Sequence, residues 1–187
     1  MPIEYLQEYD RYMMIAGLRD VKILDSETVL RQLRLFSNEI ATQILDVNGI
    51  AGRDHLRFAV LNALKGRTQG RQITESLAVE ILLYASAQRQ IKNAIAALGV
   101  TSNSKNVAVI AIANNKHILK RFETELASIV EGRLDESVLD EGDQAVVRRI
   151  FSITDDQVRA LLRRSVTERE AIAKLVIERM ALLSSQI

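Results

Sequence analysis

One short stretch limits the folds open to this chain more than any other. From Asn106 to Ala113 the sequence reads NVAVIAIA, so seven apolar residues follow the asparagine without interruption. Such a run predicts a central β-strand covered on both faces, because a strand with one exposed face would alternate apolar and polar residues. The run is also too short to cross a bilayer. We therefore predict a sheet with helices on both sides.

The composition fits a helix-rich chain around such a sheet. Of the 187 residues 48% are hydrophobic, proline occurs once, and only 4% are aromatic. This composition favours helices and makes an all-β sandwich a poor fit. We predict one domain over residues 1–187 with an α/β fold, a small mixed sheet with a central apolar strand and about seven to eight helices. No signal peptide is visible, and a cytoplasmic location is expected.

Apolar periodicity predicts further elements in the N-terminal part. Tyr12–Leu18 (YMMIAGL) is an apolar run typical of a buried strand. An amphipathic helix should begin after Asp25 and Ser26, because both are good N-caps and apolar residues then recur every three to four positions. Those apolar positions are Val29, Leu33, Phe36, Ile40 and Ile44. A short strand over Ile44–Val47 is expected to follow.

One helix is predicted before a basic loop and two helices are predicted after it. The loop comprises residues 66–72 (GRTQGRQ) and carries two arginines and two glycines. The helices span Arg53–Lys65, Leu77–Tyr84 and Ala87–Leu98, and the caps of the second and third are Ser76 and Ser86.

The C-terminal part is expected to be mostly helical. Two capping boxes, Thr154-x-x-Gln157 and Thr167-x-x-Glu170, each mark a helix start. The last helix should span Glu168–Leu183. The segment Gly132–Asp143 is acidic and lacks periodicity, so we predict a surface excursion there.

Charge is distributed unevenly along the chain. Residues 51–122 contain eleven lysines and arginines and three acids, a local net charge of +8, whereas the whole chain carries +1. No acid occurs between Ile81 and Phe122. This asymmetry is typical of a surface that binds a polyanion, since nearby acids would repel phosphates. A fold whose parts neutralise one another through salt bridges explains it equally well, and both interpretations stay open.

No motif for catalysis, metal binding or nucleotide binding is present. His55 and His117 lack metal-ligand spacing and are expected to be surface or packing residues. Phosphate-binding glycine motifs, serine-nucleophile motifs and cysteine are all absent. We predict no catalytic residue, metal, cofactor or small-molecule substrate. A helix-turn-helix over Thr154–Met180, with Arg163 and Arg164 facing phosphate, stays as an alternative, although its turn lacks glycine.

Three consecutive segments resemble a known family. Asp54–Ala63 is a hydrophobic helix with an Ala-x-x-x-Ala pattern, Ser76–Leu83 reads SLAVEILL after the basic loop, and Ala87–Gly99 reads AQRQIKNAIAALG. This order is similar to the Cgi-type subunits of the KEOPS complex, the family of the PRPK-binding protein. The resemblance is best over Asp46–Ala113, and Met1–Asp10 and Gly132–Asp143 lie outside it. The chain contains no cysteine and is rich in arginine, a composition that suits an archaeal protein.

The resemblance implies a small α/β protein without an active site. A Cgi-type subunit docks on the atypical kinase-like ATPase of the complex and contributes to threonylcarbamoylation of a tRNA adenosine beside the anticodon. It also contacts the 3′ CCA end of tRNA. Both partners, the kinase-like ATPase and tRNA, are therefore expected here, and the alternative is a protein–protein adaptor without nucleic-acid contact.

Specific residues follow from combining the resemblance with the charge pattern. The candidate tRNA contacts are Arg57, Lys65, Arg67, Arg71, Arg89 and Lys92. Each of these could equally be a solvated surface cation. The candidates for an apolar kinase-docking surface are Ile91, Ile95 and Met180, and packing in the core is the alternative role for each.

Overall fold

The computed structural model describes residues 2–23, 25–36, 38–162 and 167–185, and within them a five-stranded sheet forms the centre. The strands are β1 (Ile3–Leu6), β2 (Arg11–Arg19), β3 (Ile40–Asp46), β4 (Val107–Ala113) and β5 (Arg133–Leu134). The order is β1-β2-β4-β3, and β5 pairs with the far end of β2. Every described pairing is antiparallel, with Ile15 opposite Ile110 and Ile44 opposite Val109.

Eight α-helices within the described ranges surround this sheet, which confirms the predicted α/β class. They are α1 (Ser26–Phe36), α2 (Arg53–Thr68), α3 (Leu77–Ser86), α4 (Ile91–Leu98), α5 (Lys116–Ile129), α6 (Gln144–Ile150), α7 (Asp155–Leu162) and α8 (Glu168–Ser185). None of the described helices is long and apolar enough to span a membrane.

The predicted central strand is β4, and all seven of its residues are buried. Ile110 and Ile112 belong to a core shared with α2, α3 and α8, whereas Val109 and Ala111 belong to a core shared with α1 and α5. This alternation is the reason that β4 is apolar throughout, since successive side chains point to opposite faces of a strand. A third cluster joins α6, α7 and α8.

The first predicted helix is too long. Helix α1 begins after Asp25, whose carboxylate accepts the backbone N–H of Thr28 at 2.9 Å, but it ends at Phe36. Ile40 and Ile44 lie in β3 instead, which starts four residues before the predicted strand. Their spacing of four residues fits a helix and a strand equally, because four is also a multiple of the strand period of two.

Ser86 was wrongly predicted as a helix cap. It is the last residue of α3 and is buried, and its hydroxyl donates to the carbonyl of Leu82 at 2.8 Å. Ala87 follows with a φ of 51°, a left-handed conformation that ends α3. Helix α4 therefore begins at Ile91, four residues after the predicted start.

The acidic segment Gly132–Asp143 is part of the fold, and the predicted surface excursion is wrong. Its first residues form β5, and a 3₁₀ helix over Glu136–Asp140 buries Val138 and Leu139 against the sheet. The hydrophobic period is hidden because only Val138 and Leu139 contribute buried side chains, while Asp135, Glu136 and Glu141 bind arginines from elsewhere in the chain.

Both C-terminal capping boxes are confirmed. The backbone N–H of Gln157 donates to Thr154 Oγ1 at 3.4 Å, and that of Glu170 donates to Thr167 Oγ1 at 3.3 Å. Helices α7 and α8 pack together in the third apolar cluster. Arg163 and Arg164, the phosphate contacts of the helix-turn-helix alternative, lie outside the described residues.

Candidate binding surface

The cations of the predicted basic loop lie on the end of α2 and on the chain that follows it. Helix α2 continues to Thr68, three residues beyond the prediction, so Lys65 and Arg67 are helical residues. Lys65 and Arg71 are exposed, whereas Arg67 is partly buried. Because residues 66–68 belong to α2, the name basic loop from here on means residues 69–76, which connect α2 to α3.

Hydrogen bonds fix the basic loop to its neighbours. The backbone N–H of Arg71 donates to the carbonyl of Gly66 at 2.8 Å. The guanidinium of Arg67 donates to the carbonyls of Glu75 at 2.9 Å and Thr74 at 3.3 Å. The Arg67 guanidinium therefore already has acceptors inside the protein. Among the described residues, the contact that holds Arg71 is the hydrogen bond of its backbone N–H.

A buried carboxylate holds the same loop from the opposite side. Glu80 in the first turn of α3 is fully buried. Its two oxygens accept the backbone N–H of Ile73 at 3.0 and 3.1 Å, and one of them accepts the N–H of Thr74 at 2.9 Å. Ser76, the predicted cap of α3, accepts the N–H of Val79 at 3.4 Å and is confirmed in that role.

Arg57 is the candidate cation whose charge is most clearly used within the chain. Its Nε and Nη2 both bind the carboxylate of Glu4 on β1, at 3.0 and 2.6 Å. The hydrogen bond to Glu4 is the main reason that the pKa of Arg57 is raised. The guanidinium thus joins α2 to the edge of the sheet, a contact over 53 residues that sequence periodicity does not encode.

Helix α4 carries the exposed candidates Ile91, Lys92 and Ile95. Ala94 and Leu98 form the buried side of this helix, whereas Ile91 is 46% exposed and Ile95 is 54% exposed. The two isoleucines are one turn apart, and Lys92 is exposed beside them. Arg89 is exposed just before the helix. The structure therefore brings apolar and cationic candidates together on and beside one short helix.

Met180 differs from the other two apolar candidates. It is fully buried in the core between α8 and the helices on the same face of the sheet. Its side chain is therefore not accessible to a partner in this structure. Leu182, two residues further along α8, is 44% exposed and was missed. The sequence signal for Leu182 was weak because α8 has apolar residues on several sides.

A cavity of about 290 Å³ lies where the ends of α3 and α6 meet α8. Ala87 and Ser152, both non-glycine residues with a positive φ, line it together with the exposed Leu182. Arg179 is the one charged residue among its described lining residues. Sequence reasoning did not predict this cavity, because it is formed by three helices far apart in the chain.

The two histidines differ in their surroundings. His55 is fully buried, its Nδ1 accepts the N–H of Ala51 at 3.1 Å, and its Nε2 lies 2.7 Å from the carbonyl of Ala85. Burial lowers the pKa of His55 to about 4. His117 is exposed on α5. No group of three or more potential metal-ligating side chains occurs among the residues that the structure describes.

These features define an α/β protein whose described surface combines exposed isoleucines with exposed cations on α4 and the adjacent loop. A family model described as "Kinase binding protein CGI-121" matches residues 19–184. The chain therefore belongs to the CGI-121 family of kinase-binding proteins, which confirms the family predicted from the sequence. It is similar to the regulatory protein Cgi121 of Methanocaldococcus jannaschii, with 29% identity over 143 residues, 75% of this chain and 85% of that protein.

Proposed function

We propose that this chain is a non-catalytic subunit of a KEOPS complex. In this role it binds the kinase-like ATPase subunit and helps to recruit tRNA through the 3′ CCA end for threonylcarbamoyladenosine modification. Membership of a family of kinase-binding proteins supports the first activity. Bond chemistry then belongs to other subunits, in keeping with the absence of catalytic motifs from the sequence.

The exposed pair Ile91 and Ile95 is the observation that carries the kinase-binding part. Two apolar side chains one turn apart and about half exposed form a contiguous apolar patch, and such patches are a feature of protein interaction sites. They lie on a helix whose other side is buried, so a partner would meet a rigid surface. Leu182 on α8 is a further exposed apolar residue for such a contact.

The tRNA-binding part is supported by the exposed cations. Lys65, Arg71 and Lys92 are exposed and belong to the stretch with a net charge of +8. Phosphate contacts of this kind add affinity without sequence selectivity, and they weaken as salt rises. Arg57, which binds Glu4, is the weakest of the proposed contacts, because RNA would have to compete with an ion pair already formed.

A protein–protein adaptor without nucleic-acid contact is the second candidate. The engagement of Arg57 by Glu4 and of Arg67 by backbone carbonyls favours it, since both cations have internal roles. Binding of the purified chain to intact tRNA and to tRNA lacking the CCA end, each over a salt series, separates the two. CCA-dependent, salt-sensitive binding is expected for tRNA recruitment, and no binding to either RNA would leave the adaptor role.

A further inference from the structure

Glu80 is a buried acid that the proposed contacts do not use. It has no accessible surface, and no described lysine or arginine forms an ion pair with it. A buried carboxylate without a cation is costly unless hydrogen bonds replace its hydration. The N–H groups of Ile73 and Thr74 supply those hydrogen bonds, and both belong to the basic loop.

The backbone of the loop also depends on Glu80 for hydrogen bonding. Ile73 and Thr74 lie outside every helix and strand, so no regular backbone partner is available to their N–H groups. Arg67 binds the carbonyl of Thr74, so the residue is held at its N–H by an anion and at its carbonyl by a cation. Charge-assisted hydrogen bonds are the stronger kind, and here they act on both sides of one residue.

The helix dipole can explain why an acid occurs in the first turn of α3, but it does not explain why the Glu80 side chain is buried against the loop backbone. A carboxylate in the first turn of a helix interacts favourably with the helix dipole. An exposed side chain would gain the same interaction, whereas Glu80 is buried and directed at the loop backbone. Gly66 lies beside this arrangement, and a Cβ there would be tight against Tyr84 Oη at 3.2 Å but in ordinary contact with Glu80 Oε1 at 3.8 Å.

We infer that Glu80 is a positioning residue for RNA binding: its buried carboxylate fixes the basic loop so that Lys65 and Arg71 present their charges at a constant spacing. The inference rests on the proposed tRNA-binding function. A loop ordered before binding avoids the entropy cost of ordering on RNA, so the same cations bind phosphate more tightly. Glu80 itself touches no RNA.

The test compares Glu80→Gln with Ile81→Val, a mild substitution of a fully buried neighbour on α3. The glutamine keeps the shape, but it removes the negative charge and one acceptor oxygen, so the two-oxygen contact with the N–H of Ile73 is lost. Two quantities are measured for each chain: amide hydrogen exchange at Ile73 and Thr74, and tRNA affinity over a salt series. For Glu80→Gln we expect faster exchange, an affinity about tenfold lower and a salt slope shallower by about one. Ile81→Val should match the unmutated chain.

The outcomes separate this inference from the function on which it rests. Faster exchange with unchanged tRNA affinity, or an equal loss of affinity at every salt concentration, would overturn the positioning role and leave tRNA binding intact. Absence of tRNA binding by the unmutated chain would overturn both. If Glu80→Gln does not fold, exchange in the unmutated chain decides: protection of Ile73 and Thr74 before tRNA is added supports the inference, and protection gained only with tRNA refutes it.

Discussion

His55 joins the start of α2 to the end of α3: Nε2 donates to the carbonyl of Ala85 at 2.7 Å while Nδ1 accepts the N–H of Ala51. The Ala51 contact fixes the tautomer, because an acceptor Nδ1 leaves the proton on Nε2. His55 also packs edge-on against Phe151, with ring centroids 5.5 Å apart. The imidazole must therefore stay neutral for both hydrogen bonds to persist.

This requirement predicts a loss of stability on mild acidification. The unfolded chain binds the His55 proton near the ordinary pKa of 6.5, whereas the folded chain binds it only near 4. The free energy of unfolding should be unaffected by this group above pH 6.5, fall by about 3 kcal/mol as the pH drops to 4, and then level off. Chemical denaturation over pH 7 to 4 measures it. His117→Gln should follow the same curve, and His55→Asn should flatten it; equal curves for both variants would contradict the prediction.

A side chain at position 17 should damage the packing of the acidic segment. A Cβ on Gly17 would lie 2.5 Å from the carbonyl oxygen of Asp135 and 2.6 Å from Val138 Cγ2. Gly17→Ala is expected to lower the free energy of unfolding by about 1–3 kcal/mol, because the backbone of the segment must move. Denaturant titration gives the value. Gly70→Asn is the control, since nothing lies within 4 Å of that position and asparagine tolerates its φ of 65°.

Arg19 should help to keep the pKa of Asp135 low, as the second contributor after the Ser137 hydroxyl. The carboxylate of Asp135 binds Ser137 and, at 2.8 Å, Arg19 Nε, and these contacts lower its pKa to about 2. Asp135 therefore contributes stability above pH 3.8 that is lost as the pH falls towards 2. Arg19→Met should raise the pKa of Asp135, as followed by carbon-detected NMR titration. Arg133→Met, which removes a more exposed arginine 3.9 Å from the same carboxylate, should change it little; equal shifts would argue against the assigned cause.

Polar substitution on α4 should weaken the proposed kinase contact without unfolding the chain. Ile91→Ser and Ile95→Ser remove side chains that are about half exposed, so each is expected to cost little stability but about 1–2 kcal/mol of binding. Calorimetry with the kinase-like ATPase subunit measures the loss. Leu35→Ser on α1, at 76% exposure, is the matched control and should bind normally. Unchanged binding by both isoleucine variants would place the docking surface elsewhere.

Charge reversal at the end of α2 and in the basic loop should act through phosphate contacts. Lys65→Glu and Arg71→Glu are each expected to lower tRNA affinity and to reduce the salt slope by about one. Arg133→Glu alters an arginine that is also exposed but lies on β5, outside α2 and the basic loop, and it should leave both quantities near those of the unmutated chain. Filter binding over a salt series provides the measurement, and equal effects of all three variants would indicate general electrostatics and not a defined contact.

Local features of the sequence determined much of this fold. The uninterrupted apolar run predicted β4 as the central strand, because only a strand covered on both faces can bury every side chain. Capping residues predicted helix starts correctly at Ser76, Thr154 and Thr167, because a cap binds N–H groups two or three residues away. The resemblance to a family of kinase-binding proteins also lay within a continuous stretch of chain.

Tertiary structure decided which of several equivalent side chains face outwards and which charges are already paired. Periodicity marked Ile91, Ile95 and Met180 alike, yet Met180 is buried and the two isoleucines are exposed, because the neighbouring helices cover one side of each element and not the other. Arg57 and Lys65 looked equivalent until the fold brought Glu4 to Arg57. Nothing in the local sequence distinguishes Glu80 from a surface acid, and only the folding of the loop onto α3 gives its carboxylate two backbone partners. Such pairings depend on contacts between separate elements, which the pattern within one element does not encode.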